Sequence, residues 1–164
     1  RTIATPGAGP VAVPVGGVRY APSICYESTV APLICQHLRQ LYAGPGGPPD
    51  VLVNLTNDGW FWGSSELDLH LICGIFRAVE CRRPLAIAAN TGFSAAISAD
   101  GRVLAQGPRR ATGVLCLELP LDRRYADRPT FYVAHEQWAT AGAAFVCAIL
   151  AGVAIYDRRR LARV

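Results

Sequence analysis

Between Trp138 and Tyr156 the chain carries no charged residue, and Asp157-Arg158-Arg159-Arg160 follows at once. Such a run has few ways to fold. It is close to the roughly 20 residues that a helix needs to cross a bilayer's hydrocarbon core. There, every backbone N–H and C=O must be satisfied within the segment. Phe145, Val146, Ile149, Leu150, Val153 and Ile155 supply hydrophobicity, and the many Ala and Gly residues let membrane helices pack closely. Arginines just past an apolar span favour the cytoplasmic side, which puts the preceding residues on the outside. Trp138 and Tyr156 stand where interfacial aromatics belong. The competing reading is a buried helix of a soluble domain. The expected division is a globular part over 1–137, a transmembrane helix over 138–156 and a basic cytoplasmic tail over 157–164.

The globular part alternates two periodicities. A short strand is expected near Val11–Val15 and a longer one over Val18–Ile24. Val30, Ile34, Leu38 and Leu41 recur at helical spacing, with Pro32 tolerable in a first turn. The run from Gly44 to Asp50, rich in Gly and Pro, stops that helix. Val51–Thr56 suits a buried strand. Ser65 and Asp68 resemble a capping box opening a helix to about Cys81, whose apolar face is read as Leu69, Ile72, Phe76 and Val79. Pro84–Ala89 reads as a strand, Phe93–Ser98 and Arg102–Ala105 as a hairpin around Ala99-Asp100-Gly101, and Val114–Leu119 as a last strand. This order predicts an α/β layered domain.

Cys25 falls where the Val18–Ile24 strand gives way to a helix-like stretch. A sulfur there can stand above the end of a sheet, and a helix N-terminus behind it would favour the thiolate. The bland alternative is a small buried hydrophobe.

Composition narrows the function classes. The chain is 51% hydrophobic and 17% charged, which excludes disorder. The net charge of +4 sits mostly in the tail beyond Tyr156, so the body lacks the basic face of a nucleic-acid binder. The six cysteines form no CxxC or other metal-type spacing. His70 and Cys73 could share a helix face, but two ligands do not make a zinc site; neither metal nor cofactor is expected. Asn54-Leu55-Thr56 fits a glycosylation acceptor but lies in a strand-like run and reads as chance. There is no methionine and no lysine, and no signal peptide shows at the N-terminus. The chain therefore reads as a fragment or as one whose beginning was removed.

Five short segments carry a family resemblance: Ile24-Cys25-Tyr26-Glu27, Asn57-Asp58-Gly59-Trp60-Phe61, Arg77-Ala78-Val79-Glu80, Arg83-Pro84 and Asn90-Thr91-Gly92-Phe93-Ser94-Ala95. In this order, ahead of an apolar helix, they resemble the C-terminal part of the apolipoprotein N-acyltransferases. These are bacterial inner-membrane members of the nitrilase, or carbon–nitrogen hydrolase, superfamily. The likeness runs from about Thr5-Pro6-Gly7 to the terminal arginines. It implies the C-terminal part of an α-β-β-α sandwich followed by one transmembrane helix. It also implies a globular part on the extracytoplasmic side, a phospholipid acyl donor and an apolipoprotein acceptor.

The resemblance assigns residues as well. Cys25 would be the nucleophile that carries the acyl group as a thioester, and the Tyr26 backbone N–H an oxyanion donor. Glu27 matches a position of functional weight, against the alternative of an acid favoured by the helix dipole. Asn57, Asp58 and Asn90 would shape the site from strand ends, or, for the first two, form a polar turn. Trp60 and Phe61 would touch acyl chains or the membrane interface, or else anchor the core. Arg77 and Glu80, three residues apart on a helix that backs the site in the family, are expected to pair structurally. Trp62 departs from the pattern, which expects Phe-Gly directly. The family's general-base glutamate and oxyanion lysine lie upstream of Thr5, so the isolated chain is expected to be inactive until that missing N-terminal part is supplied. The alternatives are an amidase-like hydrolase, which would not need the apolar tail, and a non-catalytic tethered remnant. A papain-like site would need a histidine such as His135 beside Cys25, but no peptidase signature surrounds that cysteine.

Overall fold

The computed structural model describes residues 7–61 and 64–161. Thr5 and Pro6, the Trp62-Gly63 pair and the tail end 162–164 lie outside the described residues, as do the side chains of Tyr156, Asp157, Arg159 and Arg160. The chain divides into two units, Arg1–Ala134 and His135–Val164.

The first unit is built on one six-stranded mixed sheet in sequential order. Its strands are β1 (Val13–Val15), β2 (Val18–Ile24), β3 (Val51–Asn57), β4 (Leu85–Asn90), β5 (Ala95–Ile97) and β6 (Val103–Gln106). The β2–β3 and β3–β4 pairs are parallel and the others antiparallel. Gly16 and Gly17, both at positive φ, make the two-residue turn between β1 and β2. Helix α1 (Ala31–Ala43) connects β2 to β3, and α2 (Glu66–Cys81) connects β3 to β4. Right-handed crossovers advancing one strand each time put both helices on the same face of the sheet. The core lies between them: Ile34, Cys35 and Leu38 of α1, Ala78 and Cys81 of α2, and Leu52, Leu85, Ile87 and Ile97 of the strands.

Three expectations need correction. The apolar face read on α2 is not the one that packs on the sheet: Leu69, Ile72 and Phe76 face solvent. Leu67, Gly74, Ala78 and Cys81 are buried instead. The helix carries two apolar stripes, and the sheet takes the one with small residues because it permits closer approach. A Cβ on Gly74 would lie 2.8 Å from Ile87 Cδ1 and 3.1 Å from Leu85 Cδ2. The Ser65 capping box does not form; Ser64 Oγ accepts the Glu66 N–H at 3.2 Å. Val114–Leu119 is not a strand: it pairs with no described strand, and Val114, Leu115 and Leu117 are exposed.

Arg83 is 2% exposed, and its charge is solvated by the protein. Its guanidinium donates to Pro49 O (2.6 Å), Arg82 O (3.1 Å), Asp122 O (3.4 Å), the Tyr42 hydroxyl (2.8 Å) and Tyr125 O. The planar five-donor fork of arginine suits such a ring of oxygens. Nearby, Arg77 Nη2 lies 2.9 Å from Glu80 Oε1. Burial raises the Glu80 carboxyl above its ordinary value, against the opposing pull of Arg77 and a hydrogen bond from Tyr132.

Helix α3 (Phe131–Leu161) starts before the expected 138 and carries a non-helical residue, His135, at φ −133°. Its first turn belongs to the first unit, where Val133 is buried and Thr130 Oγ1 donates to Glu80 O at 2.6 Å. The second unit is the rest of this helix. Among the described residues, α3 is the one helix long and apolar enough to cross a membrane. Phe145, Val146, Ile149, Leu150, Val153 and Ile155 are all exposed on it.

Candidate active site

The three parallel strands β2, β3 and β4 end side by side, and their C-terminal ends gather Asn57 and Asn90, the last residues of β3 and β4, with Cys25 and Asp58, the first residues after β2 and β3. Ile24 pairs with Leu55, and Asn57 with Asn90. Open α/β sheets place ligand groups at this edge.

Cys25 begins a five-residue 3₁₀ turn, Cys25–Thr29; α1 starts only at Ala31. The nucleophile candidate therefore does not cap an α-helix as expected, and a turn this short has little dipole to lend. What marks it is backbone strain. Cys25 has φ +51°, the left-handed region that costs an L-residue roughly 1–2 kcal/mol. Such strain persists where the surroundings over-determine it. Two donors do so here: Asn54 Nδ2 (3.1 Å) and Ser28 Oγ (3.2 Å) both bond the Cys25 carbonyl. Cys25 is half-buried. Tyr26, its side chain exposed, supplies the next backbone N–H. Glu27 turns back to accept the Ile24 N–H at 2.7 Å, so its carboxylate braces the turn from the strand side.

Asn57 Oδ1 accepts from Gly59 N and from Asn90 Nδ2, both at 3.2 Å. Thr91, next to Asn90, is also held at positive φ, an unusual state for a β-branched residue. Cys25 borders two spaces. An open cleft of about 800 Å³ is lined by Ile24, Leu55, Asn57, Trp60, Ala88 and Asn90 among others. A more enclosed, mostly apolar cavity of about 380 Å³ is lined by Tyr26, Trp60, Phe61, Leu69, His70 and Cys73 among others. Trp60 is 84% exposed, which excludes the core-anchor alternative for it.

Sequence reasoning named Asp58 as a site residue but missed its partners behind Cys25: His70, Ser28 and Asn54. Asp58 is buried, and its Oδ1 accepts from Thr56 Oγ1 (2.6 Å) and faces His70 Nδ1 (3.0 Å). His70 Nε2 lies 3.0 Å from Ser28 Oγ. Asn54, dismissed as a chance glycosylation match, is fully buried and also bonds Ser23 Oγ at 3.0 Å. A signal for His70 existed: it sits three residues after Leu67 and four before Gly74, on the small-residue stripe that α2 buries.

A cysteine on a strained turn at the end of a parallel strand, set in a mixed sheet with both helices on one face, makes this an α/β domain with a candidate nucleophile at the carboxyl ends of its parallel strands. The chain belongs to the carbon–nitrogen hydrolase family, whose model matches residues 1–129. Its sequence is similar to the apolipoprotein N-acyltransferase of Rhodopirellula baltica, at 33% identity over 158 residues, covering 91% of this chain and 27% of that protein. Against the apolipoprotein N-acyltransferase of Bordetella bronchiseptica the identity is 42% over 103 residues, covering 62% of this chain and 18% of the relative. The chain thus spans about a quarter or less of the length of these curated relatives. In fold it is similar to an amidase from Nesterenkonia sp., with a TM-score of 0.58 at 19% identity, over 82% of this chain and 49% of the amidase.

Proposed function

We propose that this chain is the part of a membrane N-acyltransferase that carries the acyl group. The Cys25 thiolate attacks the ester carbonyl of a phospholipid. The S–C bond forms, the ester C–O bond breaks, and the lysophospholipid leaves as an alcohol with the thiol's proton, which the upstream general base has taken from sulfur and passes to the leaving oxygen. The N-terminal amine of an apolipoprotein then attacks the thioester, an amide forms and the Cys25 thiol is restored. Splitting one transfer into two such steps is covalent catalysis. Tyr26 N–H stabilises the tetrahedral oxyanion in both. The apolar cavity beside Cys25 takes the acyl chain, and the open cleft admits the amine. Asn57 and Asn90 shape that cleft, Trp60 borders both spaces, Phe61 lines the apolar cavity, and Arg77 with Glu80 supports α2 from behind.

The observation that carries this reading is the strained Cys25 between an apolar cavity and an open cleft, its carbonyl clamped from behind. The similarity to named N-acyltransferases selects acyl transfer over hydrolysis. Residues 1–137 then form half of an α-β-β-α sandwich, residues 138–156 span the bacterial inner membrane, and residues 157–164 are cytoplasmic. The sheet lies on the extracytoplasmic side of that membrane, and both substrates are membrane-bound. The resemblance assigns a glutamate and a lysine from a preceding N-terminal part, and this chain holds no lysine. The chain alone is therefore expected to turn over no phospholipid. Combined with the upstream part of a relative, in phospholipid vesicles, it should acquire a hydroxylamine-sensitive acyl group at Cys25, absent in Cys25→Ser. No label at Cys25, or full N-acyl transfer by the isolated chain, would refute the reading.

A further inference from the structure

We propose that His70, with Asp58 and Ser28, is a positioning device that aims the Tyr26 N–H by gripping the opposite end of the same peptide bond. The inference rests on the reading of Cys25 and Tyr26 given above.

The Cys25–Tyr26 peptide is one rigid plane, with its C=O and N–H pointing in opposite directions. Whatever fixes Cys25 O therefore fixes the direction of Tyr26 N–H. Two donors hold that oxygen: the amide of Asn54 at 3.1 Å and the hydroxyl of Ser28 at 3.2 Å. Donors at the oxygen also polarise the peptide and strengthen its N–H as a donor, since bonded chains reinforce one another in a low dielectric. The left-handed Cys25 needs this grip, because nothing in its own residue type favours φ +51°.

Ser28 has a single hydroxyl proton. When that proton lies on Cys25 O, Ser28 can only accept from His70, so Nε2 of His70 must carry a hydrogen. Nδ1 faces Asp58 Oδ1 at 3.0 Å, a contact that fixes the plane of the ring. A hydrogen on Nε2 keeps the Ser28 hydroxyl turned to the Cys25 carbonyl, whereas a bare Nε2 would accept that hydroxyl proton instead. The Asp58–His70 pair thus decides which way the Ser28 hydroxyl points. The pair is itself braced, by Thr56 Oγ1 on Asp58 Oδ1 at 2.6 Å and by the backbone of Gly92 pressed against the carboxylate. Ser28 and Asp58 are each 3% exposed, so water competes little for these bonds.

The experiment compares two reactions of Cys25 in the full chain, resolved by mass spectrometry. Acylation by p-nitrophenyl decanoate develops an oxyanion and releases p-nitrophenolate as the S–C bond forms. Alkylation by iodoacetamide displaces iodide and needs no oxyanion donor. His70→Phe and Ser28→Ala should slow acylation by about tenfold to a hundredfold, below the loss expected for deleting an oxyanion donor outright. They should leave alkylation within about twofold of wild type. His70→Gln, whose amide can still donate to Ser28, should recover most of the acylation rate. Combining His70→Gln with Ser28→Ala should return it to the Ser28→Ala level. The buried Cys35 and Cys81 report folding in the same spectra; if they react in His70→Phe, Ser28→Ala decides. A wild-type Cys25 that does not acylate even with the upstream part of a relative supplied overturns the reading of Cys25, and this inference with it. Wild-type acylation that Ser28→Ala leaves unchanged, or that falls only in step with alkylation, overturns the inference alone.

Discussion

The side-chain nitrogen of Asn90 lies 3.2 Å from Oδ1 of Asn57, across the parallel β3–β4 pair at the sheet edge beside Cys25. That oxygen also takes the Gly59 N–H, so one acceptor holds both the turn after β3 and the end of β4. Asn90→Asp keeps the shape but sets an acceptor against an acceptor. The pair is exposed, so the stability cost should stay near that of one ordinary hydrogen bond, about 0.5–1.5 kcal/mol. Acylation of Cys25 by a nitrophenyl ester should nevertheless slow about tenfold. Thermal melts and burst kinetics on the same preparation check both halves.

Gly92 and Gly74 offer a paired test of packing against positioning. A Cβ on Gly92 would fall 2.0 Å from Asp58 Oδ2, and one on Gly74 2.8 Å from Ile87 Cδ1. Alanine at either position should destabilise by about 1–3 kcal/mol, the usual cost of overpacking. Only Gly92→Ala displaces the carboxylate that orients His70. Denaturant midpoints should fall for both variants, while the acylation rate at Cys25 should fall for Gly92→Ala alone.

Much of this architecture could be read from the chain, because strand and helix periods differ and the Gly/Pro-rich stop before Val51 is unambiguous. Val51–Thr56 was legible as a buried strand from composition alone. The choice of face on α2 was not: both stripes are apolar, and what decides is the Cβ-free surface of Gly74 meeting Ile87 and Leu85. Cys25 was legible as a junction residue, but its left-handed backbone was not, since only Gly and Asn advertise that state in sequence. His70, Ser28 and Asp58 are separated by up to 42 residues, and no local spacing links them. Their network exists only once β2, β3 and α2 have docked. Val114–Leu119 shows the converse error, a strand-like run with no ladder to join.

Arg83 should be among the residues whose replacement costs most. Removing its guanidinium strips partners from four carbonyl oxygens and the Tyr42 hydroxyl at once. Arg83→Met is expected to cost about 3–5 kcal/mol in urea unfolding, the range for breaking a buried charged network. Arg83→Lys keeps the charge but cannot span the same set of oxygens, and should fall between the two.

Glu80 gives stability a pH dependence of defined sign. Its carboxyl is raised above the ordinary 4.5, mainly by burial, so the folded chain holds that proton more tightly than the unfolded one. The stabilisation is complete below the ordinary value and fades as pH rises through the raised one. Asp122, lowered mainly by its hydrogen bond with Arg124, acts with opposite sign and only at more acid pH. Glu80→Gln removes the titration. Urea unfolding from about pH 4 to 7 should show wild type losing stability relative to this variant as pH rises. A constant difference between the two across that range would contradict the assignment.

Cys25 itself separates stability from chemistry most directly. Its φ of +51° is disfavoured for every L-residue and open to glycine. Neither Cys25→Ala nor Cys25→Gly has a sulfur, so neither can take an acyl group or an alkyl label. They differ in strain: alanine keeps the penalty of the left-handed region, whereas glycine escapes it and loses more chain entropy on folding. The first effect is roughly 1–2 kcal/mol and the second roughly 0.5–1 kcal/mol, so glycine should be the more stable of the pair by up to about 1.5 kcal/mol. Asn54→Leu should then compress that gap, because without one of the two donors at the Cys25 carbonyl the turn can relax toward ordinary φ. Chemical denaturation of the two single variants, each with and without Asn54→Leu, measures this. If alanine proved as stable as glycine in the intact clamp, the turn would not be under strain, and the bonds at the Cys25 carbonyl would have nothing to restrain.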